Sequence, residues 1–372
     1  MRLIFRVVLL VTCVGVIYFG YLGGVGKPWE GDSLAYHLPI AKIIADGRIG
    51  DRAALSNNLY FYPGIGEALV AVMMRLGVPL NLYNLLGWIA LGGVVLKLGK
   101  IAGLKSEEAV VLAGAVVWWP SVVRLVLTQT VDIWLAVFWV LAVIWLEKGG
   151  QGWKYWGVLG IWLGAILGIK YSGVFYLPIL GAFYWRRFWE CRKDWGWLVV
   201  TVPILVIGGS WYGRNLLLTG SPMWPAGWGP WKGATGFKML EWNPAKTAIN
   251  FPGKFGEAMI SEYLIWPILG FWAVWRGSKW GWLGLFNWGV YMILPSWPEN
   301  VVSDLRYGYV AMIPIVIAIW KWARAAGRIG DVAVLAMAAV AVEWAQLDFR
   351  PKIFVGVMLF GWIFWGRKKW HF

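Results

Sequence analysis

The sequence predicts an all-α, polytopic membrane helix bundle of about twelve transmembrane helices (range about ten to thirteen), and three observations carry that prediction. Of 372 residues, 60% are hydrophobic and only 14% charged, with a mean hydropathy of +0.62; a water-soluble domain of this length needs a larger share of charge. The 32 Trp suit many helices that each carry aromatic rings at the headgroup boundary. Apolar stretches of roughly 15–20 residues are set apart by short charged turns, as a hydrocarbon core of ~30 Å requires.

Taken in order, the predicted spans are 3–25, 80–97, 106–124, 131–146, 155–170, 173–185, 195–212, 263–276, 280–295, 306–322, 331–347 and 352–366. The first follows Arg2 and Arg6 and is too long for the apolar region of a cleaved signal, so it reads as an uncleaved helix. Several later stretches are short, which predicts local thinning or partly re-entrant helices. With the N-terminus inside, one set of turns carries Arg2, Arg6, Lys97, Lys100, Lys105, Lys148, Lys154, Arg186, Arg187, Arg192 and Lys193. It continues with Arg276, Lys279, Lys321, Arg324, Arg328, Arg367, Lys368 and Lys369. That alternation places both termini in the cytoplasm by the positive-inside rule.

Two segments on the opposite side are long. Residues 26–79 form the first extracytoplasmic loop, with a helix expected from Ser33 to Asp46 and a juxtamembrane helix from Gly64 to Leu76. Glu67 and Arg75 read there as the solvated face of a surface helix. Residues 213–262, rich in Gly, Pro and Trp, form a second extracytoplasmic loop. The chain reads as a single transmembrane domain over 1–372, without internal repeats.

The net charge of +15 is dispersed among the turns, so it signals topology and no nucleic-acid partner. Cys13 and Cys191 imply neither a disulfide nor a metal site.

Charged groups at the edge of an apolar bundle are functional candidates by default. They fall on the outer side: Glu30, Asp32 and His37 in the first loop, Asp132 entering the fourth span, Lys170 leaving the fifth, Arg214 after the seventh and Arg306 opening the tenth. Each has an ordinary alternative. Asp32 and Asp132 can cap helices, Lys170 can snorkel, Arg214 and Arg306 can anchor at the interface, and His37 can be a structural partner of a carboxylate. Trp29, Tyr36, Tyr60 and Tyr62 offer aromatic faces in the same loop.

Trp29-Glu30-Gly31-Asp32-Ser33-Leu34-Ala35-Tyr36-His37-Leu38-Pro39 resembles the first-loop acidic motif of the GT-C superfamily of membrane glycosyltransferases. The likeness is to the bacterial branch that includes protein mannosyltransferases and lipid A aminoarabinose transferases. Asn58-Leu59-Tyr60-Phe61-Tyr62-Pro63, Thr128-Gln129-Thr130-Val131-Asp132, the Gly-rich stretch Gly164–Tyr171, Trp211–Pro222 and Leu305-Arg306-Tyr307 resemble further elements of that family, in its order. The acidic motif here is Glu-x-Asp rather than adjacent acids, and no long C-terminal extracytoplasmic domain is expected.

The resemblance implies a GT-C-like fold and an inverting transfer of a sugar, with a monosaccharide favoured. The donor would be a polyprenyl phosphate and the acceptor a lipid, glycan or protein. It implies an extracytoplasmic active site in the plasma (inner) membrane, within reach of membrane lipids. Asp32 takes the family's general-base position, with Glu30 as the alternative. Lys170, Arg214 and Arg306 are the candidate clamp for the donor phosphate. Asp132 binds the acceptor, holds Lys170 or Arg214, or, with Asp32, ligates a divalent cation such as Mg or Mn. Tyr36, Tyr60, Tyr62, Tyr171, Asn215 and Tyr307 are the substrate-binding candidates. Two other readings stand beside it: a catalytically inactive scaffold of an envelope-assembly complex, and a lipid or sugar transporter, which would need inverted repeats and midplane polar groups.

Overall fold

The computed structural model describes residues 1–192, 195–227, 229–234, 242–296 and 298–346. The expected span 352–366, the basic residues Lys193, Arg367, Lys368 and Lys369, and parts of the loop 213–262 lie outside them. Among the described residues the chain is all-helical.

Four helices are long and apolar enough to cross a membrane: α1 (Arg2–Val25), α4 (Leu80–Ile101), α11 (Gly196–Thr219) and α16 (Val301–Ala325). A fifth crossing exists if α13 (Pro252–Tyr263) and α14 (Trp266–Trp275), bent by 95° where they meet, act as one span. The chain is therefore a membrane-embedded helical protein. The remaining apolar helices are shorter. Those on the expected spans are α5 (Ser106–Val117), α7 (Asp132–Lys148), α8 (Trp153–Ile169), α9 (Gly173–Phe183), α15 (Lys279–Ile293) and α17 (Ile329–Gln346).

Local chemistry explains the differences from the expected boundaries. The span expected at 106–124 stops at Val117 and resumes as the short α6 (Pro120–Val123), because Pro120 has no N–H to donate and disfavours helical backbone at Trp119. Trp119 is accordingly extended (φ −61°, ψ 137°). The seventh span runs on past 212 to Thr219, where Gly220 closes it in the left-handed region (φ 76°). Arg214 and Asn215 therefore sit on a helix, not in the loop that 213–262 was expected to open.

In the first loop, α2 (Ser33–Ala45) and α3 (Ile65–Arg75) form close to where periodicity put them. Ser33–His37, the first turn of α2, is π-helical, a wide turn often found at functional sites.

Helix α16 is the axis of the bundle. Its buried face runs from Val301 to Ala323, and it packs against α14, α15, α7, α17 and α5. A second packing unit joins α8 to α11 by close backbone approach. A Cβ on Gly164 would stand 2.7 Å from the Pro203 carbonyl oxygen, and one on Gly168 2.8 Å from that of Ile207. Small residues spaced by four let helix backbones touch in lipid. This contact brings Lys170, just beyond α8, and Arg214, near the end of α11, toward the same first loop.

Candidate functional site

The acidic loop is shaped by Glu30. Its Oε1 accepts from the Asp32 amide (3.1 Å), and its Oε2 accepts from the Ser33 amide (2.7 Å) and hydroxyl (2.8 Å). Glu30 thus caps α2, and Asp32, which makes no capping bond, is left to point elsewhere. The Ser33 hydroxyl also accepts from the Gln129 amide (3.0 Å), while Gln129 Nε2 donates to Asn81 Oδ1 (2.9 Å). Asn84 Nδ2 donates to the Thr130 carbonyl (2.8 Å). These bonds fix the first loop against the Thr128–Asp132 segment.

Asp132 begins α7 without capping it. Its side chain is 3% exposed, and Oδ1 accepts from Lys170 Nζ at 2.6 Å. Lys170 leaves α8 in an extended conformation (φ −160°, ψ 147°), which turns its ammonium inward, 3.5 Å from the Tyr307 ring centroid. Arg306 completes the group. Its Nη2 lies 2.5 Å from Asp32 Oδ2, and its Nε lies 3.4 Å from Asp132 Oδ2. The second contact is an ion pair without hydrogen-bond alignment, so the Nε–H has no acceptor among the described residues.

The turn carrying Arg306 is pinned from two sides. The Tyr263 hydroxyl donates to the Leu305 carbonyl (2.6 Å) and the Tyr176 hydroxyl to that of Tyr307 (2.8 Å). Four elements distant in sequence thus deliver two carboxylates and two cations to one place. Asp32, with a side chain 40% exposed, is the most accessible member of a chain of charges in which Asp132 and Arg306 are buried.

Tyrosine rings lead away from this group. Tyr36 lies edge-on to Tyr62 (5.9 Å between centroids), Tyr62 to Tyr171 (5.3 Å) and Tyr171 to Tyr212 (5.7 Å). Burial, with the Asp32 carboxylate next, pushes the Tyr36 and Tyr62 phenols above their ordinary value; burial and then Tyr212 do the same to Tyr171. All three stay neutral near pH 7, able to donate a hydrogen bond and unsuited to act as a base.

The row ends at a second knot. The Phe61 carbonyl accepts from Arg214 Nη2 (2.9 Å), Asn215 Nδ2 (2.8 Å) and the Tyr171 hydroxyl (3.2 Å). Tyr171 donates also to the Trp224 carbonyl. Asn215 is fully buried and occupied by protein partners, so the knot ties the first loop to α11. Arg214 keeps one free donor: its buried Nη1 has no partner among the described residues. No ion pair joins Arg214 to Asp132 or Asp32 among the described residues. Tyr60 lies half-buried in the short helical turn Asn58–Phe61 and takes no part in the tyrosine row.

His37 pairs with Glu67 and makes no ion pair with Asp32 among the described residues. Its Nδ1 and Glu67 Oε1 are 2.6 Å apart, each side chain 2% exposed, and its ring lies 4.0 Å from that of Tyr36. Glu67 is therefore a buried partner that joins α2 to α3, and not part of a solvated face; Arg75 is exposed and donates to the Ala45 carbonyl. Glu67, Gln129 and Asn84 are the site residues that sequence reasoning missed. Glu67 at the third position of α3 was the one available signal, because an acid in an otherwise apolar turn needs a partner.

Asp32 and Asp132 suit a divalent cation poorly. Each already holds a cationic side chain, so Arg306 and Lys170 put positive charge where the ion would stand. Among the described residues no three His, Cys, Asp or Glu side chains converge as a metal-binding group. Compared with models of protein families, with curated proteins and with solved structures, the chain matches none.

Proposed function

We propose that this protein is a GT-C-like membrane glycosyltransferase, built on about twelve spans, that moves a sugar from a polyprenyl phosphate to an acceptor on the outer face of the membrane. The observation that carries the reading is the pairing of Asp32 with Arg306. A half-exposed carboxylate lies against a buried guanidinium, which is in turn beside Asp132 and Lys170.

The acceptor hydroxyl attacks the anomeric carbon from the face opposite the phosphate, so the configuration inverts. As the new C–O bond forms, Asp32 takes the hydroxyl proton; its Oδ1 has no hydrogen-bond donor among the described residues and is free to do so. The anomeric C–O bond to phosphate breaks, and its electron pair leaves on the phosphate. Arg306 and Lys170 supply the positive charge that balances the charge developing there. Arg214 Nη1, at the far end of the tyrosine row, extends the clamp toward the donor. Asp132 holds Lys170 and steadies Arg306. Tyr36 and Tyr62 supply neutral rings for sugar stacking.

The test is transfer by purified protein in nanodiscs, with a panel of polyprenyl-phosphate sugars and a membrane extract as acceptor. Asp32→Asn is expected to lower transfer by about 10²–10⁴-fold while donor binding stays within about twofold. Glu30→Gln, whose single amide oxygen can still accept from the Ser33 amide and so keep part of the cap, is expected to retain transfer. If Asp32→Asn transfers as well as wild type, the base assignment fails. If wild type neither binds nor transfers any of the sugars, the inactive scaffold replaces the enzyme.

A further inference from the structure

A second binding site lies at the other end of α16, about 25 Å from Arg306 by the length of the helix. There the last turns of α16, the end of α14 and the start of α15 line an open cavity of about 440 Å³, bordered by Ala273, Arg276, Ser278, Ala318, Lys321 and Trp322 among others. Ala273 and Ala318 are fully buried and form an apolar floor.

Arg324 pairs with Glu108, Lys279 with Glu147, and Arg328 with Asp331. Arg276 and Lys321, which come from different helices and both line the cavity, pair with no acid among the described residues. Two cations held over one cavity repel each other unless an anion lies between them.

The neighbouring surface says which anion. The cavity opens beside the outer face of α14, where Phe271, Trp272 and Trp275 are 68%, 58% and 77% exposed. A water-soluble phosphate has no use for that face, whereas a lipid lays its chains along it and its phosphodiester between the cations. Basic pockets between membrane helices bind such headgroups. We infer that the cavity formed by Arg276, Lys321, Ala273, Ala318 and Trp322 binds the phosphodiester of an anionic glycerophospholipid whose acyl chains cover α14. Two uncompensated positive charges favour a net-negative headgroup over a zwitterionic one, whose ammonium they would repel.

The experiment is titration of delipidated, detergent-solubilised full-length protein with phosphatidylglycerol and with phosphatidylcholine, read by native mass spectrometry. Wild type is compared with Arg276→Gln/Lys321→Gln and with Arg328→Gln/Lys100→Gln, which removes the same charge from the same end outside the cavity. All four side chains are exposed, and size-exclusion elution of each variant reports its folding. Wild type is expected to prefer phosphatidylglycerol by about tenfold or more. The cavity variant should lose that preference and the control variant keep it. Equal preference in wild type and the cavity variant overturns the site. Displacement of phosphatidylglycerol by free glycerol phosphate at equal concentration overturns the lipid as its ligand.

Discussion

Asp32 and Asp132 are both carboxylates bound to cations, yet their surroundings give them different work. Asp132 is almost fully buried, with Lys170 at 2.6 Å and Arg306 at 3.4 Å. Removing its charge leaves both cations without their shared anion, a loss of about 3 kcal/mol. Asp132→Asn should therefore lower the thermal midpoint in nanodiscs by about 5 °C or more. Asp32 is 40% exposed, so Asp32→Asn should stay within about 2 °C of wild type while the proposed transfer falls by about 10²–10⁴-fold. Equal thermal losses would remove the distinction between a structural and a reacting carboxylate.

Tyr36 makes a second residue-scale prediction. Its phenol is pushed above its ordinary value of about 10 by burial and then by Asp32, so above pH 10 the folded chain keeps a proton that the unfolded chain has lost. Its contribution is complete below pH 10 and declines as pH rises beyond it. Tyr36→Phe removes that share and should flatten the fall of thermal midpoint between about pH 10 and 11, with no change of slope below pH 9. Parallel curves for the two proteins would refute it. The candidates Asp32, Asp132, Lys170 and Arg306 were legible as charges at the edges of apolar runs. The role of Glu30 was not, because a capping carboxylate and a reacting one two positions away look alike until the amides they face are known.

At the scale of elements, what places the cations is the contact between α8 and α11. Gly164 and Gly168 let the two backbones touch at Pro203 and Ile207, beside the π-helical turn Ile204–Gly209, where Pro203 cannot donate within its helix. Gly164→Leu must push the helices apart, so it should reduce donor binding through displaced Lys170 and Arg214 and cost about 1–3 kcal/mol by overpacking. Gly157→Ala, on the same helix, is the comparison. Its Cβ would meet Val199 Cγ1 at an ordinary 3.6 Å, so binding should be unchanged and stability equal or higher by about 0.5–1 kcal/mol. Donor titration of both variants decides it; equal loss in the two would remove the close approach as the cause.

Hydrophobic periodicity was enough to place α2 and α3. It did not find the break at Pro120 or the buried face of α3, since an amphipathic pattern shows that a face will be covered and not what covers it. Glu67 became intelligible only once His37 on α2 was seen 2.6 Å away.

For the molecule as a whole, α16 sets the geometry across the membrane. Its 25 residues span about 37 Å at the helical rise, more than the ~30 Å hydrocarbon core. Arg306, bound to Asp32, lies near its start, and Arg328 lies just beyond its end with a side chain 70% exposed. A crossing by α16 would put the two on opposite sides. Composition and charge alternation in the sequence imply the same layout, and the assignment of the Asp32 side to the exterior rests on the charge rule. Single cysteines at Gly31, where an added Cβ meets nothing within 4 Å, and at Arg328 separate the two claims. In a background of Cys13→Ser and Cys191→Ser, a membrane-impermeant maleimide should label Gly31→Cys in intact cells. Arg328→Cys should be labelled only after permeabilisation. Labelling of both from the same side would mean that α16 does not cross the membrane. The reverse order would keep the crossing but turn the Asp32–Arg306 site inward, where only a donor carried on the cytoplasmic leaflet could reach it.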